Sequence, residues 1–257
     1  MKMTVIASGS AGNCYVLEGR HSALILEAGV PPERMMANTT LKMSEVEGVL
    51  ISHEHGDHAA YASRYMELGL PIFTSAGTFK QIGKQLKLTK PTVIKGKTLA
   101  PMIYTPVGEF LVAPFRVKHD AAEPFGFLIL HPEMGKLLFL TDSAPISYNF
   151  SVEKVDHIMV EANYDDRVLN ERVTRYHEVS EAQADRLRRS HLSIREACEF
   201  VSANETAKLK TVTLLHLSDR NANLEDFWDR MQETVLFADV RVARPGLVVE
   251  LKRSDYD

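Results

Sequence analysis

Seven consecutive residues, Ser52-His53-Glu54-His55-Gly56-Asp57-His58, hold three histidines and an aspartate. Imidazole nitrogens and carboxylate oxygens are the usual ligands of borderline divalent cations. A straight strand or helix could not aim four side chains so closely spaced at one point. A loop can, and Gly56 eases the turn it needs. The chain has only two cysteines, Cys14 and Cys198, so neither a thiolate zinc site nor a disulfide framework is expected. A metal held here should see nitrogen and oxygen ligands alone.

A loop-borne site needs rigid elements to hold it. Short apolar runs predict strands at 3–7, 14–18, 23–26, 48–52, 72–74, 110–117, 125–130, 136–140, 157–161, 212–215 and 240–243. The first two flank Ser8-Gly9-Ser10-Ala11-Gly12-Asn13 and read as a hairpin. Helical patterns fall at 61–68, 79–86, 181–188, 194–201 and 223–235. Ser180 precedes the third, and Ser193 with Glu196 has capping-box spacing at the fourth. Strands with helices between and after them predict a layered α/β domain over residues 1–257.

The His-x-His-x-Asp-His spacing is the hallmark of the metallo-β-lactamase fold superfamily, which this chain resembles. Members that hydrolyse phosphodiesters bind two metals. They carry a further His, a bridging Asp and a last His, each just past a strand. His119 after Phe115-Arg116-Val117-Lys118, Asp142 after Leu140-Thr141 and His216 after Leu214-Leu215 match that order. Taken alone, each has a plainer reading as a hydrogen-bonded histidine or a turn-capping aspartate. The resemblance implies one metal held by His53, His55 and His119, a second by Asp57, His58 and His216, and Asp142 between them. Asp57 also counts among the catalytic groups. Zn²⁺ is the first expectation; Mn²⁺ and Fe²⁺ suit the same ligands. Two such ions about 3.5–4 Å apart supply a nucleophile at neutral pH and neutralise a phosphate. The implied fold is an αββα sandwich, two mixed β-sheets with helices on the outer faces.

The leaving alkoxide of a phosphodiester needs a proton, and a histidine held by a carboxylate is a sound general acid. In tRNase Z-like phosphodiesterases a Glu-Ala segment and a Gly-His-Leu-type segment supply such a pair. Glu161-Ala162-Asn163 and Ser190-His191-Leu192 are similar, which implies that Glu161 holds His191. The plainer reading of His191 is a structural residue at a helix end. The opening Ala7-Ser8-Gly9-Ser10-Ala11-Gly12-Asn13 is no P-loop, since it lacks Gly-Lys-Ser/Thr. It resembles the start of the bacterial and phage YycJ-like (WalJ-like) branch. So do His119-Asp120-Ala121-Ala122 before Pro124, Glu161-Ala162-Asn163 and His216-Leu217-Ser218, and the likeness runs from about residue 4 to 223. The branch implies a cytoplasmic DNA exonuclease. One position departs: Glu27 stands where the branch has Asp next to the metals, and its longer side chain is expected to alter a hydrogen bond or a metal contact.

Residues 167–195 hold seven arginines against four acids. Arg186, Arg188 and Arg189 there read either as a phosphate track beside His191 or as a solvated, salt-bridged helix face. Ser10, Asn13 and Asn221 are further expected substrate contacts. His21, His131, His157 and His177 lack motif context and read as structural or surface residues. Composition excludes other classes. The 257 residues are 45% hydrophobic and 25% charged, with no apolar run near the length of about 20 that a membrane helix needs. A net charge of -4 argues against coating nucleic acid by global charge, though not against a local patch. The expected function is hydrolysis of a phosphodiester, in DNA before RNA. The alternatives are a small-molecule hydrolase of the same fold, acting on a cyclic or nucleotide phosphodiester, a lactam or a thioester, and a binding protein with a decayed site.

Overall fold

A computed structural model describes residues 1–85 and 96–254. Two seven-stranded mixed sheets lie face to face, with helices on their outer faces. In the first the order is Val248–Glu250, Lys2–Ala7, Cys14–Glu18, Ala23–Leu26, Val46–Leu50, Ile72–Thr74 and Gly96–Thr98. In the second it is Asp239–Val242, Thr211–Leu215, His157–Glu161, Gly135–Leu140, Phe125–His131, Phe110–Arg116 and Thr105–Val107.

The strands are apolar on both faces because each sheet is covered twice. In Ala23–Leu26 the side chains of Leu24 and Leu26 enter the core between the sheets, while Ala23 and Ile25 pack in the outer layer. In Gly135–Leu140 the residues Leu137 and Phe139 point inward and Leu138 and Leu140 outward. The expected hairpin forms, Lys2–Ala7 pairing antiparallel with Cys14–Glu18. From Ala23–Leu26 onward the first sheet is parallel. Gly135–Leu140, His157–Glu161, Thr211–Leu215 and Asp239–Val242 are parallel in the second. The carboxyl ends of both parallel sets meet along one edge, where α/β sheets place ligands.

Two helices follow complete capping boxes: Ser180 with Gln183 opens Glu181–Ser190, and Ser193 with Glu196 opens Ile194–Asn204. Asp166–Thr174 is a helix that periodicity did not reveal, since only Leu169 and Val173 are buried on it. Its signal was the cap, Asp165, which accepts from the Arg167 and Val168 amides. Pro32–Ala37 and Gly56–Ala59 were also unread, being six and four residues long. So were Gly96–Thr98, Thr105–Val107 and Val248–Glu250, whose three residues are too few to show a period. The helix expected at 79–86 is Ala76–Gln85, and Leu86 lies outside the described residues. Among the described residues no helix is long and apolar enough to cross a membrane.

Candidate active site

The strand Val46–Leu50 ends in the turn that carries His53 and His55, and Asp57 and His58 fall in the helix Gly56–Ala59. Main-chain bonds clamp this short helix to the first sheet. Ala28 N donates to the His58 carbonyl and Asn13 N to the Asp57 carbonyl, both at 2.7 Å. A Cβ on Gly29 would lie 1.8 Å from the Asp57 carbonyl oxygen, so the approach requires glycine. The second sheet delivers Asp142, Glu161 and His216 from the carboxyl ends of Gly135–Leu140, His157–Glu161 and Thr211–Leu215. Glu27, Asp142 and His216 have φ of 67°, 37° and 53°. Left-handed backbone costs energy at non-glycine residues and persists where surroundings over-determine it.

Two clusters result. His53, His55 and His119 offer ligand atoms within 4.8 Å of one another, and so do Asp57, His58, Asp142 and His216. Asp142 stands between them. Its Oδ2 is 3.9 Å from His53 Nε2 and 3.8 Å from His119 Nε2. Its Oδ1 is 3.3 Å from His58 Nε2 and 3.7 Å from His216 Nε2. One carboxylate oxygen therefore faces each cluster, as a bridging ligand requires.

The residues fit divalent cations on their own chemistry. His53 Nε2 is buried with no hydrogen-bond partner, a deficit that a cation removes. His119 Nδ1 donates to the Ser190 carbonyl at 2.8 Å, which leaves Nε2 unprotonated toward the cluster. Burial pushes the His53 ring well below the usual histidine range, into the neutral form that ligates metal. Burial alone would raise the Asp142 carboxyl, but His216, His58 and His53 outweigh it and hold it well below the usual range.

Glu27 is fully buried, and its carboxylate accepts from Ser52 N at 3.2 and 3.3 Å. Its Oε2 is 3.4 Å from His58 Nδ1, whereas Asp142 faces His58 Nε2. Glu27 thus lies on the Nδ1 side of His58, on the far side of the ring from Asp142.

Glu161, also fully buried, accepts from His191 Nδ1 at 2.6 Å through Oε1 and from Ser143 N and Leu192 N through Oε2. The remaining ring nitrogen of His191 is Nε2, and His191 lines the cavity above the clusters, about 200 Å³ in volume. Burial works to lower the His191 pKa, but the Glu161 charge outweighs it and holds the ring above the usual value. His191 also ends the helix Glu181–Ser190, whose last carbonyl, Ser190, orients His119.

Other expected residues fare unequally. Ser10 and Arg186 line the cavity. Arg186 Nε donates to Asp120 Oδ2 at 2.8 Å. Asn13 is wholly buried and spends its amide on Gly9 O, Asp57 O and His58 Nε2, so it steadies the turn and has no face for substrate. Asn221 is buried and accepts from Arg172 Nη1 at 2.5 Å, away from the cavity lining. Arg188 is tied to Asp185 and Asn170, and Arg189 to the Asp185 carbonyl; neither lines the cavity. Residues that sequence reasoning left without a role complete the site. Asn163 donates to the His216 carbonyl at 2.9 Å, and Glu54 accepts from Ala122 N at 2.7 Å, fixing the loop after His119. Ser8 Oγ accepts from His216 N at 2.9 Å.

Residues 29–216 match the beta-lactamase superfamily domain. The chain belongs to the beta-lactamase superfamily. Within the superfamily it is 27% identical over 241 residues to the exodeoxyribonuclease WalJ of Streptococcus pneumoniae, spanning 86% of this chain and 82% of that protein. It is 29% identical over 185 residues to the exodeoxyribonuclease YycJ of Bacillus anthracis, spanning 68% and 67%. Among solved structures it resembles the metallo-beta-lactamase fold protein YhfI from Bacillus subtilis, with TM-score 0.72, 19% identity and 96% and 98% of the two chains. It also resembles the short form of human tRNase Z, with TM-score 0.68, 18% identity and coverage of 98% and 99%. At these identities the structural likenesses establish the fold alone.

Proposed function

We propose that the protein is a metal-dependent phosphodiester hydrolase acting on nucleic acid, DNA before RNA, with two divalent ions per chain. Zinc is the first choice of metal and manganese or iron the next. The observation that carries this reading is the 2.6 Å contact between His191 Nδ1 and the buried Glu161, placed beside the carboxylate that faces both clusters. The relatives named exodeoxyribonuclease support the substrate class.

His53, His55 and His119 would hold one ion and Asp57, His58 and His216 the other, with Asp142 between. When bound, the pair lowers the charge of the phosphate and supplies a nucleophile at neutral pH. The chain does the rest. Asp57 lines the cavity, where its carboxylate would hold the second ion and can accept a hydrogen bond from an incoming water. Arg186 and Ser10 offer donors to phosphate oxygens at the cavity wall. Glu161 fixes the His191 ring and keeps it protonated, and His191 gives its Nε2 proton to the departing oxygen.

The test is incubation of metal-loaded protein with labelled single-stranded DNA, double-stranded DNA, RNA and a nitrophenyl phosphodiester. Metal-dependent shortening of DNA is expected, faster than that of RNA. Turnover of none of the four would overturn the reading.

A further inference from the structure

Among the described residues the second sheet ends on the strand Asp239–Val242, which pairs with Thr211–Leu215 alone. Beside it runs the helix Leu224–Thr234, which carries Trp228, the chain's one tryptophan. Between strand and helix lies a groove of about 410 Å³ lined by Leu224, Trp228, Val240, Val242, Arg244 and Leu247, among others. Trp228 is 40% exposed and Leu224 50%. The indole is fixed, because Nε1 donates to the Val240 carbonyl at 3.0 Å. A pinned aromatic ring with an open face is a stacking platform.

The groove adjoins the site. The parallel register ends with Leu214 against Val242 and the Ala243 N to Leu214 O bond, so Arg244 and His216 both leave the ends of neighbouring strands. Ser218 of the cavity lies on the segment that leads into the Trp228 helix.

On the His191 side Arg172, Arg186, Arg188 and Arg195 are engaged by acidic side chains, whereas Arg189 bonds to a main-chain carbonyl and Arg175 lies over the Tyr176 ring. On the other side Arg220 and Arg244 are exposed and bond only through their main chains. The Arg244 guanidinium lines the groove and is free for a phosphate, and Arg220 follows the cavity residue Ser218 by two positions. Glu225 and Asp229 also line the groove, and Arg241 there is paired with Asp239. Within the groove attraction must come mainly from stacking, and the salt-dependent part of binding from Arg244 and Arg220.

An added peptide strand fits less well. Asp239 N and Ala243 N bond inward to Lys210 and Leu214, so the alternating Val240 carbonyl faces the open edge. Trp228 Nε1 and Arg241 Nη1 already occupy that acceptor, at 3.0 and 3.1 Å.

We propose that this groove receives the single-stranded part of a nucleic-acid substrate whose reacting phosphate lies in the metal site, a base stacking on Trp228 and the adjoining phosphates meeting Arg244 and Arg220. This rests on the phosphodiesterase reading above. The test uses metal-loaded protein and a phosphorothioate-linked oligodeoxythymidylate that resists hydrolysis. Binding should quench the fluorescence of the lone tryptophan, and the quench should survive raised salt once saturation is restored. With a dye-labelled oligonucleotide, Trp228→Ala should bind roughly 5- to 100-fold more weakly while Trp228→Phe, which keeps an aromatic face, stays near wild type. DNA cleavage with a silent tryptophan at saturation, or equal losses in both variants, would overturn the groove and leave the phosphodiesterase reading standing. No binding or cleavage of any oligonucleotide would overturn both. A fluorescence change that follows protein concentration and ignores oligonucleotide would overturn it in favour of self-association.

Discussion

The two ends of the parallel strands both bury ionisable groups, yet treat them oppositely. At the amino ends, Asp156 is buried and fully spent, Oδ2 accepting from Lys136 N at 2.8 Å and Oδ1 from Ser254 N at 2.6 Å. His157 beside it bonds through both ring nitrogens, to Thr211 Oγ1 at 2.8 Å and the Met134 carbonyl at 3.1 Å. Burial pushes its pKa down to about 4, and it stays neutral. At the carboxyl ends, His53 Nε2 has no partner, Asp142 is ringed by histidines, and three non-glycine residues hold left-handed backbone. Burial of a titratable group therefore does not mark a functional site. What distinguishes the carboxyl ends is several histidines and carboxylates converging with a ring nitrogen left unpartnered.

The contrast yields graded outcomes. Asp142→Ala should have the largest effect, removing a ligand to both ions. Metal content by elemental analysis should fall from about two per chain toward none, and phosphodiester cleavage to background. Full metal retention would place the ions elsewhere. His191→Ala should keep the metal and lower kcat by roughly 10²–10⁴-fold with little change in KM. Glu161→Gln should cost less, and the two losses should not add.

Glu161→Gln also has a pH signature. In wild type the Glu161 charge raises the His191 pKa, so the acid form persists to higher pH and is lost as pH rises through that value. Without the charge, the alkaline limb of kcat/KM should move to lower pH. An unmoved limb would separate Glu161 from the proton. Asp156→Ala should instead leave metal content unchanged and destabilise the fold by about 1–3 kcal/mol for each amide left bare, read from urea unfolding. Smallest of all, Arg188→Ala should change DNA binding by less than about fivefold, because Asp185 and Asn170 already engage it. A larger loss would restore the arginine-rich helix as the phosphate track.

Much of the site was readable because its chemistry sits in one short segment, His53 to His58, and at the ends of long apolar runs. The double burial of strands such as Ala23–Leu26 writes itself as unbroken hydrophobicity, so the layered fold was readable too. What escaped depends on contacts between residues far apart in the chain. Nothing local to Asn163 or Ser8 tells that both hold the His216 segment, and nothing near Glu54 tells that it fixes the loop at Ala122. Asn13 is expected from the sequence to contact substrate, whereas its amide closes on the Asp57 and His58 helix, Asp57 lying 44 residues away. Arg188 and Arg189 showed their charge in the sequence but not their partners.

The central claim is that the Glu161–His191 pair supplies a proton beside a two-ion centre. It is tested most directly by comparing wild type with His191→Ala on two substrates, a DNA strand and a nitrophenyl phosphodiester whose leaving group departs without a proton. The account predicts a loss of roughly 10²–10⁴-fold in kcat on DNA and a much smaller one on the nitrophenyl ester, with metal content unchanged in both. Equal losses on the two substrates, or loss of metal from the variant, would contradict it and make His191 a ligand or a structural residue.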